Sequence, residues 1–488
     1  MKITKLIFIM LLGFSLSNCS DYLDINNDPN FPQVATAEVI FPPMFYSMAR
    51  GEMYDTRYIG MYTQNIANYT AGYRTDIHGF FTGSDAIGEK WREHYYGTGK
   101  NIDLILDDAL ANEKWWSAGA GMAIRAWSWQ SSTDVYGEMI YSEAFKPNTW
   151  IFNYDTQDVI YAGVVEQCNK AIEYLEMADG TSTLAIGDLV YKGDAVKWKK
   201  FVYGILARNA NHISNKASYD PDLVVSYVNN ALSSNADNFN IPFANGATND
   251  SRNFLGPTRG NFYGRRQAAF SVNLLNGTTF AGVIDPRLSL MFGASGDGQY
   301  RGIVNGSGDP NRTNATLAVP TWYNRYIFKD DADYPIMTYA EMQFIKAEAL
   351  FHKGDKLSSL AAYVEGIKAH MDFVGVSVAD QNTYLASAAV AQNTTELDLP
   401  DIMLQKYIAL WGHGVLETWT DMRRYEYSDL IYTGISFPDP LWEFNEGELA
   451  YRVRPRYNSE YKWNIKALEA IGATAMNYHT TKPWFILP

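Results

Sequence analysis

The stretch TYAEMQFIKAEALFHKGDKLSSLAAYVEGIKAHM, residues 338–371, decides the fold class of this 488-residue chain. Thr338 and Glu341 have the spacing of a capping box, which starts a helix. The apolar residues that then follow one helix face are Ala340, Phe344, Ala347 and Phe351. Gly354 and Asp355 end this helix and begin another. The apolar face of the second helix consists of Leu357, Leu360, Val364, Ile367 and Met371. Two antiparallel helices joined by a tight turn, a tetratricopeptide-type hairpin, are therefore predicted.

The same periodicity occurs earlier in the chain and predicts a mainly α fold. A helix over about residues 155–177 has an apolar face formed by Tyr161, Val165, Cys168, Ile172 and Leu175. Another helix is predicted over about 194–214. Cys168 lies on the apolar face, so we expect a buried core residue there and not a nucleophile. No regular repeat is apparent, and helix pairs are predicted without a continuous array.

Two stretches have a different texture. Residues 236–335 are rich in Gly, Asn, Pro, Arg and aromatic residues, and residues 58–96 are dense in Tyr, Gly and Thr. Long loops inside a compact protein are usually functional. Aromatic residues make up 15% of the whole chain, which is more than a hydrophobic core usually contains. Amphipathic rings are useful on surfaces that bind a ligand.

The amino end has the features of a bacterial lipoprotein signal. Lys2 and Lys5 precede an apolar run too short to span a bilayer, and the run ends in a lipobox-like sequence at Cys19. We therefore expect a signal peptide at 1–18, a lipidated amino end and tether at 19–50, and a single domain at 51–488. Without Lys2 and Lys5 the mature chain has 38 basic and 54 acidic residues, and 38 − 54 gives a net charge of −16. Such a chain would repel a nucleic acid, and no later segment is apolar for long enough to span a membrane.

Catalytic and metal-binding motifs are not evident. The seven histidines form no zinc-binding spacing, and no phosphate-binding loop, dinucleotide fingerprint or nucleophile elbow occurs. We expect no metal, no cofactor and no catalysis. The paired carboxylates of a glycoside hydrolase remain open, because spacing along the chain does not give their separation in space.

Five segments in order carry a resemblance to a known family. They are TDVYGEMIYSEA (133–144), YKGD with KWKKF (191–201), DPR (285–287), PIMTYAE with KAEA (335–349), and WTDMRR (419–424). In this combination the chain resembles the SusD/RagB-like outer-membrane lipoproteins over nearly its whole length. Within these motifs we expect Trp198 to serve packing and Asp421 with Arg424 to form an ion pair on a helix surface.

The resemblance implies a SusD-like fold, with tetratricopeptide-type helix hairpins elaborated by long loops and short strands. It also implies a lipid-anchored protein that faces the cell exterior from the outer membrane, captures oligosaccharides or polysaccharides, and acts as the lid of a SusC-like TonB-dependent transporter. Import of oligopeptides fits one branch of the family equally well. A surface hydrolase and a purely structural lid are the remaining alternatives.

The residues predicted to contact ligand lie in predicted loops, near Gly or Asn: Tyr69, Tyr73, Arg74, Arg259, Tyr263, Tyr300 and Trp322. Each ring could instead be a plug that pins its loop to the domain. Trp91 and Tyr95, at i and i+4, are assigned to packing. Stacking on neutral sugars predicts micromolar to millimolar affinity with little salt dependence. Strong salt dependence would instead indicate an acidic glycan on Arg74 and Arg259, or a basic peptide.

Overall fold

The computed structural model describes residues 35–280 and 282–488, which fold mainly into α-helices, as predicted. The helices are α1 (Ala37–Tyr62), α2 (Glu89–Arg92), α3 (Lys100–Ala111), α4 (Trp115–Tyr136), α5 (Gln157–Glu176), α6 (Leu184–Gly187), α7 (Ala195–His212), α8 (Pro221–Asn230), α9 (Ala269–Asn273), α10 (Leu288–Met291), α11 (Tyr339–Lys353), α12 (Lys356–Val374), α13 (Val378–Leu385), α14 (Leu399–Leu410), α15 (Val415–Arg424), α16 (Tyr457–Trp463) and α17 (Ile465–Ala470). The strands are β1 (Ile66–Asn68), β2 (Phe239–Ile241), β3 (Arg265–Gln267) and β4 (Tyr334–Met337).

Helix pairs form the body of the domain. The hairpin predicted at 338–371 is confirmed, since α11 and α12 pack against each other and Gly354 joins them in the left-handed conformation at φ 88°. Helices α4 and α5 form a second closely packed pair, and α7 packs on α8. Asp194 and Asp355 cap α7 and α12 through their side chains. Cys168 is buried on α5, as its place on the apolar face predicted, and Trp91 and Trp198 are also in the core.

The capping box predicted for α11 is only half formed. Thr338 Oγ1 accepts the backbone N–H of Glu341 at 3.3 Å, as a capping residue does. The Glu341 side chain does not return to Thr338, because it is fully buried and accepts two hydrogen bonds from Arg208 on α7, both at 2.6 Å. The Glu341 carboxylate therefore pairs with Arg208 and does not complete the capping box.

The ion pair predicted on a helix surface between Asp421 and Arg424 exists but is buried. Arg424 bridges Asp421 and Glu348 of α11, and Lys406 of α14 lies 2.8 Å from Asp421. The side chains of this group are at most 4% exposed. The i, i+3 spacing identified the pair, but the packing of α14 against both α11 and α15 places it in the core.

The amino-terminal boundary also differs from the prediction. Helix α1 crosses the expected junction at residues 50 and 51, and Phe41, Met44 and Phe45 are buried in its first half. Residues 37–50 therefore belong to the folded domain and not to a tether. The signal peptide and Cys19 lie outside the described residues. No helix within residues 35–280 and 282–488 is long and apolar enough to cross a membrane.

The strands connect loops that are distant in the sequence. Strand β1 pairs antiparallel with β3, with Asn68 opposite Arg265 and Ala67 opposite Arg266. Strand β2 pairs in the same sense with β4. The β1–β3 ribbon brings the loop after α1 beside the Gly-rich and aromatic region around residue 263, which is where several candidate ligand contacts were predicted.

Candidate ligand-binding surface

Tyr69, Tyr73 and Tyr263 meet at the end of the β1–β3 ribbon. Tyr69 donates its backbone N–H to the Gly264 carbonyl at 2.9 Å, which extends the ladder by one residue. The Tyr69 and Tyr263 rings are edge to face, with centroids 6.1 Å apart. The Tyr73 hydroxyl accepts a hydrogen bond from Arg265 at 3.3 Å. Three of the seven predicted contact residues are thus close together, and Tyr263 is 79% exposed.

Glycines make this approach possible. Gly264 turns the chain into β3 at φ 82°, a conformation that a residue with a side chain rarely adopts. Gly308, at φ 68°, lies against the backbone of Tyr69 and Ala71, where an added Cβ would come within 2.5 Å of the Ala71 nitrogen. The loop bearing Gly308 is fixed there because Asp309 donates its N–H to the Tyr69 carbonyl at 2.9 Å.

Arginines surround these rings on both faces of the ribbon. On one face, the guanidinium carbons of Arg266 and Arg312 lie 5.3 Å and 4.9 Å from the Tyr69 ring centroid. On the other face, Arg265 lies 5.4 Å from Tyr58 and 5.6 Å from Tyr73. These distances are within the range of cation–π attraction.

The arrangement continues onto α1 and the following loop. Tyr54, Arg57 and Tyr58 share one face of α1 at i, i+3 and i+4, and Arg57 is 3.8 Å from the Tyr54 centroid. Arg74 lies 5.4 Å from the centroid of Phe81, whose ring also contacts Tyr58 and Tyr73. We call the whole group the arginine–tyrosine cluster: Tyr54, Arg57, Tyr58, Tyr69, Tyr73, Arg74, Phe81, Tyr263, Arg265, Arg266 and Arg312.

One carboxyl group lies beneath the cluster. Asp76 accepts the backbone N–H of Asn68 at 2.9 Å and an amide hydrogen of Asn305 at 2.7 Å. Burial raises the pKa of Asp76 to about 7, and the nearby charge of Arg265 only partly opposes this shift. Near neutral pH this carboxyl therefore carries only part of a negative charge, and the cluster remains positive. Burial also raises the pKa of the Tyr58 hydroxyl, which stays protonated.

The other predicted contact residues are placed elsewhere. Trp322 is 0% exposed and packs against Phe262, Phe328 and Trp411, so its prediction as a ligand contact is wrong. Its loop folds inward, and the ring serves as the plug that pins it. Arg259 is largely buried, where it donates to the Asn249 carbonyl and lies 3.5 Å from Asp250. Tyr300 is half-buried against the main core.

Comparison with known proteins fits this architecture. A family model described as "Starch-binding associating with outer membrane" matches residues 29–454. The chain belongs to the SusD-like family. The resemblance seen in the sequence motifs is thereby confirmed. No curated protein matches the sequence.

Solved structures share the SusD-like fold at low sequence identity. A SusD/RagB family protein from Bacteroides thetaiotaomicron is 20% identical with a TM-score of 0.74, and the match covers 93% of this chain and 99% of the other. A chitin-binding SusD homolog from Flavobacterium johnsoniae is 19% identical with a TM-score of 0.73, over 92% and 98% of the two chains. A SusD homolog from Bacteroides uniformis is 19% identical with a TM-score of 0.71, over 93% and 99%.

The family motif at 133–144 has a structural role in this SusD-like protein. Thr133 donates its hydroxyl to the Gly137 carbonyl at 2.7 Å and closes the end of α4. Asp155 accepts the backbone N–H groups of Tyr141 and Ser142 at 2.9 and 2.8 Å. These bonds hold the chain after α4 against the start of α5, away from the arginine–tyrosine cluster.

One buried group has the composition of a metal site: Asp134, His212 and Glu417. His212 Nδ1 lies 3.1 Å from Asp134 Oδ2, and His212 Nε2 lies 3.0 Å from Glu417 Oε2. Burial alone would lower the pKa of His212, but the two carboxylates outweigh it and raise the pKa to about 9. Near neutral pH both ring nitrogens are therefore protonated. The group is a buried ion triad in this SusD-like fold.

A separate apolar cleft of about 400 Å³ lies beside the π-helical turn Glu93–Gly99. Its lining includes Trp91, Tyr95, Tyr96, Phe145 and Phe152. Tyr96 is 73% exposed at its mouth. Its neighbour Arg92 lies within 3.2 Å of Glu89 and Glu93, so its charge is already compensated. The cleft is the main alternative location for a ligand.

Sequence reasoning missed most of the arginines of the cluster. Arg57 was detectable, since Tyr54, Arg57 and Tyr58 share helical spacing. Arg265 and Arg266 follow Tyr263-Gly264 directly, and their position in a loop of this texture was a signal. Arg312 had no such signal in the sequence, because its place beside Tyr69 depends on a contact between loops that are more than 200 residues apart along the chain.

Proposed function

We propose that this SusD-like protein captures glycans at the cell surface through the arginine–tyrosine cluster. The observation that carries the proposal is the exposed ring of Tyr263, which is edge to face with Tyr69 at the end of the β1–β3 ribbon and is flanked by guanidinium groups. The apolar faces of sugar rings stack on aromatic rings, and arginine donates hydrogen bonds to their oxygen atoms. The chitin-binding relative supports a saccharide as the ligand class.

The cell context of the proposal comes from the family and the amino end. The family is described as associating with the outer membrane. We propose that acylated Cys19 anchors the protein there, facing the exterior, and that captured glycan passes to a SusC-like TonB-dependent transporter for which the protein acts as a lid. Several acyl chains on one cysteine give stable attachment, because each buried CH₂ contributes about 0.8 kcal/mol.

The proposed activity is binding without turnover. The family is one of binding proteins. The one metal-type group found among the described residues is the buried triad, whose histidine is fully protonated and out of reach of a polysaccharide. Candidate polysaccharides incubated with the purified protein should remain intact. Reducing ends that co-purify with the protein and scale with its concentration would instead identify a surface hydrolase.

Single-ring variants test the ligand site. Tyr263→Ala should weaken binding to a glycan panel about ten-fold, as expected when one stacked ring is lost, without lowering the melting temperature. Tyr69→Ala should weaken binding as well, but it should also lower the melting temperature, because Tyr69 packs against a small buried cluster that includes Ala67 and Ile303. Tyr96→Ala is the matched control, since it removes an equally exposed tyrosine beside the apolar cleft. Isothermal titration with starch, chitin and plant cell-wall oligosaccharides measures the affinity.

Two results would contradict this assignment. A loss of affinity in Tyr96→Ala with normal binding by the ribbon variants would move the site to the apolar cleft. Binding of oligopeptides from a library by a protein that ignores every glycan in the panel would replace the ligand class with the oligopeptide alternative.

A further inference from the structure

We propose that the glycan bound by the arginine–tyrosine cluster is acidic, carrying carboxylate or sulfate groups along its chain. The inference rests on the function proposed above and names the substrate class of the same site. It also departs from the expectation of neutral sugars that composition and net charge favour.

Positive charge without a salt-bridge partner is the first observation. Arg57, Arg74, Arg265, Arg266 and Arg312 have no acidic side chain within 4.0 Å among the described residues. Elsewhere in the same chain, arginines such as Arg50, Arg125, Arg301 and Arg456 each lie within that distance of a carboxylate. Acidic residues outnumber basic ones by 54 to 40, yet five of the nine described arginines that lack such a partner lie in this one cluster.

Unused hydrogen-bond donors are the second observation. The side chains of Arg74 and Arg312 donate no hydrogen bond to a described residue, and that of Arg57 donates only one, to the Tyr54 carbonyl at 3.1 Å. A guanidinium has five N–H donors in a fixed planar fork, which matches the two oxygens of a carboxylate or sulfate. The rings below hold Arg57, Arg74 and Arg312 by their faces and leave the N–H edges available.

The alternation of rings and cations favours a saccharide over an acidic peptide. The guanidinium carbons of Arg266 and Arg312 lie 5.3 and 4.9 Å from the centre of the Tyr69 ring, and the exposed Tyr263 ring beside it offers an apolar face next to these cations. A uronic acid or sulfated sugar presents both features in each residue of its chain. An acidic peptide presents carboxylates on flexible stems and no flat apolar face for Tyr263.

Matched ligand pairs test the charge directly. We would titrate the purified full-length protein with oligogalacturonate and with its neutral methyl ester, and with a sulfated oligosaccharide and its desulfated form. Each anionic member should bind at least ten-fold more tightly than its neutral partner, and its affinity should fall steeply between 50 and 500 mM salt, on the order of one decade or more. The first pair tests whether the protein recognises a carboxylate, and the second pair tests whether it recognises a sulfate.

Arginine variants locate the charge on the protein. Arg74→Gln and Arg312→Gln should each lower affinity for the anionic member about ten-fold or more, because each removes a hydrogen bond to a charged group, and should lower affinity for the neutral member much less, because a hydrogen bond to a neutral hydroxyl is weaker. Arg301→Gln is the control, since its guanidinium already pairs with Asp297. Melting temperatures verify that all three variants are folded.

The outcomes separate this inference from the proposed function. Equal affinity for charged and neutral partners, with the same weak salt dependence, would overturn the acidic ligand and leave glycan capture intact. Absence of binding to every saccharide would overturn the proposed function itself. Polyglutamate that binds through Arg74 and Arg312 while both oligosaccharide pairs fail would show that the cluster receives an acidic peptide.

Discussion

His212 is held as a cation between two buried carboxylates, and this makes stability depend on pH. Its pKa is about 9 in the folded protein, against about 6.5 for an unperturbed histidine. The stabilisation is complete below pH 6.5, where both states are protonated, and is lost as the pH rises through 9. The folded pKa exceeds the unfolded one by about 2.5 units, which corresponds to on the order of 3 kcal/mol.

We predict that His212→Asn abolishes this part of the pH dependence. Urea denaturation at pH 6.5 and pH 9 should show that the wild-type protein loses on the order of 3 kcal/mol more than the variant over that interval. The variant should be less stable at pH 6.5 because Asp134 and Glu417 lose their shared cation. Parallel pH curves for the two proteins would mean that His212 is neutral in the fold.

The buried pair of Asp421 and Arg424 gives a second prediction. Arg424→Met leaves Glu348 and Asp421 with Lys406 as their nearest remaining cation, so unfolding free energy should fall by about 3–5 kcal/mol. Urea denaturation measures this change. Arg301→Met is the matched control, since it removes an exposed pair with Asp297 and should leave the denaturation midpoint nearly unchanged. Equal effects of the two substitutions would contradict the burial described here.

Single residues show where sequence reasoning works and where it fails. Cys168 was predictable as a core residue because its helix spacing is local information. Trp322 was not, because a tryptophan in a Gly-rich loop has the same local signal whether the loop folds outward or inward. Only the positions of Phe262 and Trp411, which come from other parts of the chain, decide between the two.

At the scale of elements, the ribbon depends on a close contact at Gly302. A Cβ added there would lie 2.3 Å from the Ala268 carbonyl oxygen and 2.4 Å from the Ala269 nitrogen, both backbone atoms that cannot rotate away. Gly302 precedes Ile303, which forms a parallel bridge with Ala268 directly after β3.

We predict that Gly302→Ala costs more free energy of glycan binding than free energy of unfolding. The substitution should displace the end of β3 and with it Arg265 and Arg266, so affinity should fall at least ten-fold, as when a charged hydrogen bond is lost. Gly180→Ala is the control, since an added Cβ there meets nothing within 4 Å. Titration calorimetry and thermal unfolding measure the two effects. An unchanged affinity in Gly302→Ala would show that the ribbon does not position the site.

The elements differ in how far the sequence alone specifies them. Capping residues and apolar spacing located the α11–α12 hairpin to within three residues, because a helix is stabilised by contacts three and four positions apart. The β1–β3 ribbon could not be located this way. Each strand has only three residues, and its partner lies in a distant segment. The tether predicted at 19–50 overlaps the first half of α1, where Pro42 and Pro43 are residues that usually disfavour a helix interior.

At the scale of the whole molecule, membrane attachment should depend on one residue, Cys19. We predict that Cys19→Ala abolishes incorporation of labelled palmitate and releases the protein from the membrane fraction, because it removes the proposed acylation site. Cys168→Ala is the matched control, because it changes the only other cysteine, which is buried. A Cys19→Ala protein that sediments with membranes in high salt would contradict the lipid anchor.

The pairing of β1 with β3 has a consequence for how the binding surface comes into existence. Ile66 pairs with Gln267, and 267 − 66 places the partners 201 positions apart. Closing so long a segment costs chain entropy that only the intervening helices can offset, so the ribbon should be among the last parts of the domain to form. A full-length chain that has not yet paired β1 with β3 carries every tyrosine and arginine of the cluster but should not hold them together. Ligand binding therefore indicates that the chain has completed its folding.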